Sequence, residues 1–292
     1  MEDKIDLKEL IRRLSAEMKF SQILLEKDYH LTRILQKISE GNIKNLVFKG
    51  GTCLNKCYLD FYRLSEDLDF VYNKDIGDFS RRKVKKIIDE LRREFFEILG
   101  GLGFKQSNKL GEGWKMLTSK SKPRIVGLEI ITNYKSKIEN VRQTIKIELS
   151  FRKKLMKSTH RKIIHHKFLN PLGEPILKES LKIESIDLTE NFAEKFRALV
   201  VRKTLAVRDI YDIYYILKNK ILGINNEVIG LILAKINETK EFSKTDLKGF
   251  MNTLGSRVSE LDEKEMEGVI RSDEKLDIKE MVKLIVEEFK II

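Results

Sequence analysis

The segments Lys49-Gly50-Gly51-Thr52 and Arg63-Leu64-Ser65-Glu66-Asp67-Leu68-Asp69-Phe70 decide the fold of this chain. The mostly apolar residues 45–48 predict a short buried strand, and residues 52–59 predict a helix that starts from the glycine turn. Residues 67–72 alternate between acidic and apolar side chains and predict a second strand. Strand, helix and strand therefore form one compact unit.

The second predicted strand carries two carboxylates on one face. Side chains two positions apart in a strand point the same way, so Ser65, Asp67 and Asp69 line one side. Magnesium binds one or two protein carboxylates together with substrate phosphate oxygens, which suits an Asp-x-Asp pair. Two such ions can stabilise both the attacking and the leaving oxygen of an in-line displacement. Beside a phosphate-binding turn, the pair would therefore suit metal-assisted transfer from a nucleoside triphosphate.

The glycine turn predicts a binding site for the phosphates. Gly50 and Gly51 allow the backbone to approach phosphates closely, and the helix beginning at Thr52 directs free amides and its positive dipole end toward an anion. Ser65 adds a hydroxyl group. Taken alone, a double glycine is typical of an ordinary strand-to-helix turn, and an Asp-x-Asp pair is typical of a solvated edge strand. Their occurrence together, in strand–helix–strand order, favours a nucleotide site.

A third acidic group is expected to complete metal binding or to accept the proton of an attacking hydroxyl. Residues 124–132 and 141–151 are rich in Ile and Val and predict two more strands of the same sheet. Glu148 shares a face with Lys146 in the second of these strands, whereas Glu129 in the first has apolar neighbours on both sides. We prefer Glu148 and keep Glu129 as the alternative.

The flanking regions are predicted to be helical. Residues 1–40 have apolar residues at helical spacing and predict two helices before the first strand. A capping signature at Asp187-Leu188-Thr189-Glu190 opens a helix to about residue 203, and another helix ends near residue 219. Further helices are predicted at 226–237, 244–254, 264–271 and 278–289. We therefore predict an α+β chain, with N-terminal helices and a mixed α/β sheet in residues 1–181 and a helical bundle in residues 182–292.

Opposite charges are dense on the first two helices of the C-terminal part. Arg208 can pair with Asp212 at a spacing of four residues, and a salt-bridged helical hairpin would explain the pattern. Lys195, however, lies between Phe192 and Phe196 at the edge of a stripe that faces the core. A lysine there is well placed to meet a triphosphate.

The composition indicates a core-forming protein that attracts polyanions. Of the 292 residues 41% are hydrophobic, and the net charge is +12, which gives a positive field suited to nucleic acid. No acidic residue occurs between Phe151 and Lys167, where the basic residues are Arg152, Lys153, Lys154, Lys157, Arg161, Lys162 and Lys167. A second basic run, at 81–86, begins an amphipathic helix. It is equally consistent with phosphate contact and with the solvent-exposed face of that helix.

Several classes of protein are disfavoured. Cys53 and Cys57 are the only cysteines, so neither a disulfide framework nor a four-ligand zinc site is available. The histidines lack the spacing of zinc ligands; they are His30, His160, His165 and His166. No secretion signal or membrane-spanning segment is evident, and we expect a cytoplasmic protein that makes no membrane contact.

Four motifs occur in order along the chain. They are Lys49-Gly50-Gly51-Thr52-x-Leu54, then Arg63-x-Ser65-x-Asp67-Leu68-Asp69-Phe70, then Glu194-Lys195-x-Arg197-Ala198-Leu199-x-x-Arg202, and Arg208-Asp209-x-Tyr211-Asp212. Glu26-Lys27-Asp28-Tyr29 precedes them. Together these motifs resemble the AbiEii/AbiGii toxin family of nucleotidyltransferases, over about residues 25–217.

This resemblance implies a DNA polymerase β-like nucleotidyltransferase core with a helical C-terminal part. Magnesium would be held by Asp67 and Asp69, and our preferred third carboxylate is Glu148. The residues expected to bind the substrate triphosphate are Lys49, Gly50, Gly51, Thr52, Arg63, Ser65, Arg202 and Arg208. The residues expected to complete the catalytic group are Lys195, which would contact the triphosphate or assist proton transfer, and Asp209 or Asp212.

The resemblance also implies a toxin from a bacterial or archaeal toxin–antitoxin or phage-defence operon, with a cognate antitoxin as a partner. Some relatives attach nucleotides to the 3′ end of tRNA. We therefore expect transfer of a nucleotide from a nucleoside triphosphate to an RNA 3′ hydroxyl, with tRNA as the expected acceptor and pyrophosphate as the product. The alternatives are transfer to a protein or small-molecule hydroxyl, and a noncatalytic module that binds nucleotides or RNA.

Overall fold

The structure is a computed structural model that describes residues 6–41, 43–119, 124–151 and 155–291. The chain divides into two compact units, Met1–Ile186 and Asp187–Ile292. The sequence placed the boundary near residue 181, whereas in the structure one more short strand, at 182–185, belongs to the sheet of the first unit.

The first unit combines helices with one sheet. In chain order its described elements are α1 (Leu7–Met18), α2 (Gln22–Gly41), β1 (Leu46–Lys49), α3 (Gly50–Cys57), β2 (Asp67–Tyr72), α4 (Arg81–Gly101), β3 (Trp114–Thr118), β4 (Ile125–Lys135), β5 (Arg142–Ser150), β6 (His160–Ile163) and β7 (Lys182–Ser185). The strand order is β3-β4-β5-β2-β1-β7-β6. β2 is antiparallel to β1 and parallel to β5, and β1 is parallel to β7. The mixed sheet predicted from the sequence is therefore confirmed, and the strand with two aspartates lies in its middle.

One face of the sheet is apolar and is covered by helices. Leu68 and Phe70 of β2 are fully buried, in one cluster with residues from α2 and α4 that include Leu31, Ile34, Ile88 and Phe95. Burying such a side chain contributes roughly 1.5–3 kcal/mol, and a slip of one residue would turn every side chain of the strand to the other face. Burial of the apolar set therefore holds Asp67 and Asp69 on the opposite face.

The first helix belongs to a smaller apolar cluster. Leu10, Ile11 and Leu14 of α1 are buried there, together with Phe61 and Phe168 from distant parts of the unit. Asp6 caps the helix by accepting a hydrogen bond from the Lys8 amide. The two helices predicted before the first strand are therefore present as α1 and α2.

The second unit is helical over its described residues. It contains α5 (Leu188–Val201), α6 (Val207–Lys218), α7 (Asn226–Asn237), α8 (Lys244–Leu254) and α9 (Ile278–Glu288). Asp187 caps α5, as predicted, by accepting from the amides of Thr189 and Glu190. The helix predicted at 264–271 is wrong, because only a short 3-10 turn (Glu263–Met266) forms and Gly268 then adopts a φ of 69°, which ends the helical path.

The strands β3, β6 and β7 were not predicted. β6 and β7 have four residues each, about half of them charged, so their local pattern is weak. Among the described residues, no helix is both long enough and apolar enough to cross a bilayer.

Candidate active site

The turn between β1 and α3 strongly favours glycine at its first position. Gly50 has a φ of +77°, and a Cβ atom there would lie 2.5 Å from Oδ2 of Asp69 and 3.0 Å from its Cβ. The Asp69 side chain therefore packs directly on the backbone of Gly50. The start of α3, where first-turn amides lack helical partners, thus lies beside the second aspartate of β2.

The second glycine of the turn is packed from another direction. A Cβ atom on Gly51 would lie 2.6 Å from Nη2 of Arg63 and 3.3 Å from Oγ of Ser65. Arg63 is only 2% exposed, and its Nη1 donates to the Leu64 carbonyl oxygen at 2.8 Å. In this arrangement its guanidinium supports the turn from within, whereas Ser65 places a hydroxyl beside the glycine backbone.

Thr52 ties the turn to the strand that carries the aspartates. Its Oγ1 donates to the backbone oxygen of Asp67 at 2.5 Å, and the residue is buried. The Thr52 hydroxyl therefore holds α3 against β2. The backbone amide of Thr52 lies in the first turn of α3, where the sequence predicted amides that face the triphosphate. Lys49 is in register with Asp69 and shares its face of the sheet.

Strand pairing identifies the carboxylate nearest to the aspartate pair. β5 lies beside β2, and its Glu148 is in register with Asp69. Glu129 of β4 is in register with Glu148, one strand farther from Asp69, and forms a 2.7 Å ion pair with Lys115. The structure thus brings Glu148 next to the pair, whereas Glu129 lies one strand away and pairs with Lys115.

Lys146 is a basic residue of this acidic face to which the sequence analysis gave no role. It is in register with Asp67, and its Nζ lies 3.5 Å from Asp67 Oδ2. Burial raises the pKa of Asp67, and Asp69 and Glu66 add to the rise, which Lys146 only partly offsets. Burial alone would lower the pKa of Lys146, but Asp67, Glu148 and Asp69 outweigh it and raise that pKa. The only sequence signal for Lys146 was its spacing of two from Glu148.

The donor set suits magnesium better than a cation held by protein alone. Among the described residues, no three His, Cys, Asp or Glu side chains are gathered closely enough to hold a metal ion by themselves. Asp67 and Asp69 nevertheless share a face, and Asp69 adjoins the glycine turn. Magnesium takes one or two carboxylates and completes its shell with water and phosphate oxygens, so these residues fit the group.

A second charged cluster lies within the helical unit. Lys195 of α5 bridges Asp209 and Asp212 of α6, with 2.9 Å from its Nζ to each carboxylate. Asp212 is fully buried, and Asp209 also contacts Arg202. The structure therefore brings together four residues of the predicted site. The residue before Asp209, Arg208, lies in the first turn of α6.

The family of the chain follows from comparison with known proteins. A family model described as "Nucleotidyl transferase AbiEii toxin, Type IV TA system" matches residues 33–287. The chain belongs to this family. The family resemblance seen in the motifs is thereby confirmed, and the protein is a nucleotidyltransferase toxin of a type IV toxin–antitoxin system, which implies a nucleoside triphosphate substrate and an antitoxin partner.

Solved structures share the fold of this AbiEii-family chain. MenT4, a nucleotidyltransferase toxin from Mycobacterium tuberculosis H37Rv, is 17% identical with a TM-score of 0.66, over 97% of this chain and 88% of that one. JHP933 from Helicobacter pylori is 16% identical with a TM-score of 0.54, over 93% of this chain and 92% of that one. At such identities the likeness shows the fold alone. No curated protein sequence matches the chain.

The motif Glu26-Lys27-Asp28-Tyr29 of the AbiEii-family chain supports the turn from behind. Asp28 forms a fully buried ion pair with Lys56 of α3, with 2.5 Å between Oδ2 and Nζ. Burial raises the pKa of Asp28 and lowers that of Lys56, and the contact between them offsets part of each shift. Glu26 accepts hydrogen bonds from Ser136 Oγ at 2.5 Å and from the next amide at 2.6 Å. The motif therefore fixes α2 to α3 and to the β4–β5 turn.

A buried lysine in the helical unit was missed by sequence reasoning. Lys235 of α7 lies 2.5 Å from Glu190 and 3.1 Å from Glu194, both on α5, and 3.7 Å from Glu238. Burial alone would lower the pKa of Lys235, but the three carboxylates raise it. Because Lys235 lies in an apolar helical stripe, its sequence context did not predict that it pairs with these carboxylates.

The structure describes only part of the basic run at 151–167. Arg152, Lys153 and Lys154 lie outside the described residues. Arg161 and Lys162 are on the edge strand β6, Lys162 lies 4.9 Å from the ring centre of Tyr58, and Lys167 pairs with Asp60 at 2.8 Å. The described part of the run therefore presents cations at the sheet edge, and its contact with nucleic acid stays a prediction.

Proposed function

We propose that this toxin transfers a nucleoside monophosphate from a nucleoside triphosphate to the 3′ hydroxyl of an RNA, with tRNA as the acceptor. One observation carries the proposal, which is the packing of Asp69 against the backbone of Gly50. It joins a carboxylate pair to a turn whose amides can receive phosphate. Transfer between phosphates and hydroxyls requires these two features at one place.

The chain's own groups are suited to hold the triphosphate. The amides at the start of α3, from Gly50 onward, form an anion site at a helix N-terminus. Ser65 adds a hydroxyl beside Gly51, and Lys49 adds a positive charge on the face of Asp69. We propose that these groups orient the α-phosphate toward the acceptor, while Arg63 and the Thr52 side chain keep the turn in place.

Magnesium, when bound, would be held by Asp67 and Asp69, with Glu148 as a further carboxylate, and would neutralise charge on the phosphates and on the departing pyrophosphate. The RNA 3′ oxygen attacks the α-phosphorus, and the bond from that phosphorus to the oxygen bridging to the β-phosphate breaks. The electron pair leaves with pyrophosphate. We propose that Glu148 accepts the proton of the 3′ hydroxyl, since it is in register with Asp69.

Charge supports RNA as the acceptor. The net charge of +12 and the cations of strand β6 favour a polyanion, and binding through phosphates falls steeply with added salt. RNA and nucleoside triphosphates occur together in the cytoplasm, so we propose that the protein acts there. We also propose that the toxin–antitoxin system serves in phage defence.

The part of Lys195, Asp209 and Asp212 in catalysis is proposed from the family resemblance. Within its own unit Lys195 already joins two buried carboxylates, so a substitution can act on stability as well as on turnover. Lys195→Arg keeps the charge and Lys195→Met removes it. Loss of turnover in both variants, with melting temperatures near that of the wild type, would support a direct role.

The test of the function uses each of the four labelled nucleoside triphosphates with magnesium and total tRNA. We expect label at RNA 3′ ends, release of pyrophosphate, and loss of both in Asp67→Ala and Asp69→Asn. Sequencing of RNA 3′ ends after expression would name the acceptor and the base. Label on protein, or on a small hydroxylated compound with no response to RNA, would replace the acceptor in this proposal, and binding without transfer would identify a noncatalytic module.

A further inference from the structure

Lys146 lies on the face of the sheet that carries Asp67, Asp69 and Glu148. The reaction proposed above gives it no role. Its register partner is Asp67, and its ammonium group lies 3.5 Å from that carboxylate. Glu148, two residues farther along β5, and Asp69, the register partner of Glu148, lie on the same face. A positive charge therefore stands among the three carboxylates that we propose as ligands.

The following inference rests on the function proposed above. We propose that Lys146 is a positioning residue that makes the acidic face prefer a divalent cation delivered together with a nucleoside triphosphate over a bare divalent cation.

The reason is a balance of charges. A bare cation that approaches Asp67 must displace the ammonium group or lie next to it, and like charges a few ångströms apart repel strongly near a protein surface. A cation that arrives with a triphosphate brings phosphate oxygens, and these give the displaced ammonium group a new partner. Lys146 therefore weakens the binding of the bare cation and leaves the binding of the complex nearly unchanged.

The neighbouring strand pair offers a matched comparison. Lys115 of β3 pairs with Glu129 of β4 at 2.7 Å, again between register partners on the same face. Glu129 is one strand farther from Asp69 than Glu148 is. Removing Lys115 therefore removes the same charge and the same type of ion pair without exposing Asp67.

The experiment measures the binding of bare Mn²⁺ by the loss of the free-ion electron paramagnetic resonance signal, and the binding of the preformed Mn²⁺–analogue complex by isothermal titration calorimetry. Titrations are run on the full chain, with and without α,β-methylene triphosphate analogues of the four nucleosides. We expect Lys146→Met to bind bare Mn²⁺ about tenfold more tightly than the wild type, a change of 1.4 kcal/mol. Its affinity for Mn²⁺ with the analogue should change by less than about threefold, and Lys146→Arg and Lys115→Met should match the wild type for both.

A second readout is thermal unfolding. Removing Lys146 leaves the carboxylates to repel one another, so Lys146→Met should melt below Lys115→Met in EDTA and recover when Mn²⁺ is added. Lys146→Gln replaces Lys146→Met if the latter does not fold.

Three outcomes separate failure of this inference from failure of the proposed function. If Asp67→Ala loses Mn²⁺–analogue binding but Lys146→Met binds bare Mn²⁺ no more tightly than Lys115→Met, the inference is overturned and the function stands. It is also overturned if Lys146→Arg gains affinity as Lys146→Met does, since the charge would then not be the cause. If Asp67→Ala binds the Mn²⁺–analogue complex as the wild type does, the proposed metal site fails and the inference fails with it.

Discussion

Alanine at Gly50 is expected to move Asp69 and to lower the rate of nucleotide transfer severely. The φ of +77° costs an L-residue about 1–2 kcal/mol. The added Cβ would also lie 2.5 Å from Oδ2 of Asp69 and 3.0 Å from its Cβ, well inside the usual contact of about 3.5–4.0 Å. The Cβ of Asp69 is fixed to strand β2 and cannot swing aside like the end of a flexible side chain. The turn and the carboxylate must therefore separate.

The two costs can be estimated separately. Overpacking typically adds about 1–3 kcal/mol, so with the backbone term the loss of stability is about 2–5 kcal/mol. A displacement of about 1 Å in a catalytic group can lower the rate about 100-fold. We therefore expect a melting point several degrees lower and a transfer rate reduced at least about 100-fold.

Gly103→Ala is the matched control. Gly103 has a φ of +82°, and a Cβ atom there would meet nothing within 4 Å. This variant therefore carries the backbone cost alone, about 1–2 kcal/mol, and should keep wild-type activity. Initial rates of labelled nucleotide incorporation are compared at a temperature where circular dichroism shows both variants folded. Equal activity of the two variants would refute the contact between the turn and Asp69 as a requirement for catalysis.

Strand register and buried polar groups also determine the effects of substitutions at Glu148, Asp28 and His30. Glu148→Gln should lower kcat by at least about 100-fold, whereas Glu129→Gln should stay within about threefold of the wild type in steady-state rates; equal losses would contradict a role set by register with Asp69. Asp28→Asn should lower the free energy of unfolding in urea by about 3–5 kcal/mol because it leaves Lys56 buried without its partner, and the double variant with Lys56→Met should recover part of this loss; a single-variant cost below about 1 kcal/mol would argue against the pair as a restraint. Burial, with a nearby arginine, lowers the pKa of His30 to about 3, so the unfolded chain takes up this proton near its ordinary pKa and the folded chain does not. Stability from this group is therefore complete above the unfolded pKa and is lost as pH falls toward 3, by up to about 1.4 kcal/mol per pH unit; His30→Phe should flatten the slope of unfolding free energy between pH 6.5 and 4, and an unchanged slope would exclude His30 as its source.

Local periodicity was sufficient for the long elements. The helix predicted at 226–237 matches α7, and that at 244–254 matches α8, because each shows an apolar stripe and a polar capping residue. Strand β7 shows why the short elements were missed. It pairs with β1, and most of the first unit lies between the two strands in the sequence. A local sequence pattern cannot predict such a distant pairing partner.

The same limit applies to the candidate site. Asp67 and Asp69 could be placed on one face because the period of a strand is two. The choice between Glu148 and Glu129 depends on which strand lies beside β2, and that is a property of the assembled sheet. Thr52 shows a different limit, since a hydroxyl can donate to a ligand or to the protein's own backbone, and only the structure reveals its bond to the Asp67 oxygen.

Directional polar contacts help to hold the glycine turn. Thr52 bonds to the backbone of Asp67, the Arg63 guanidinium packs behind Gly51, and Asp28 pairs with Lys56 one turn of helix farther on. A buried ion pair adds little net stability compared with apolar packing, because desolvation offsets most of the attraction, but it tolerates few geometries. Removing one of these contacts therefore changes where the turn lies relative to the carboxylates, and at Asp28 it also lowers stability because Lys56 stays buried without its partner. Variants of these supporting residues should for that reason lose transfer rate at temperatures well below those at which the unit unfolds.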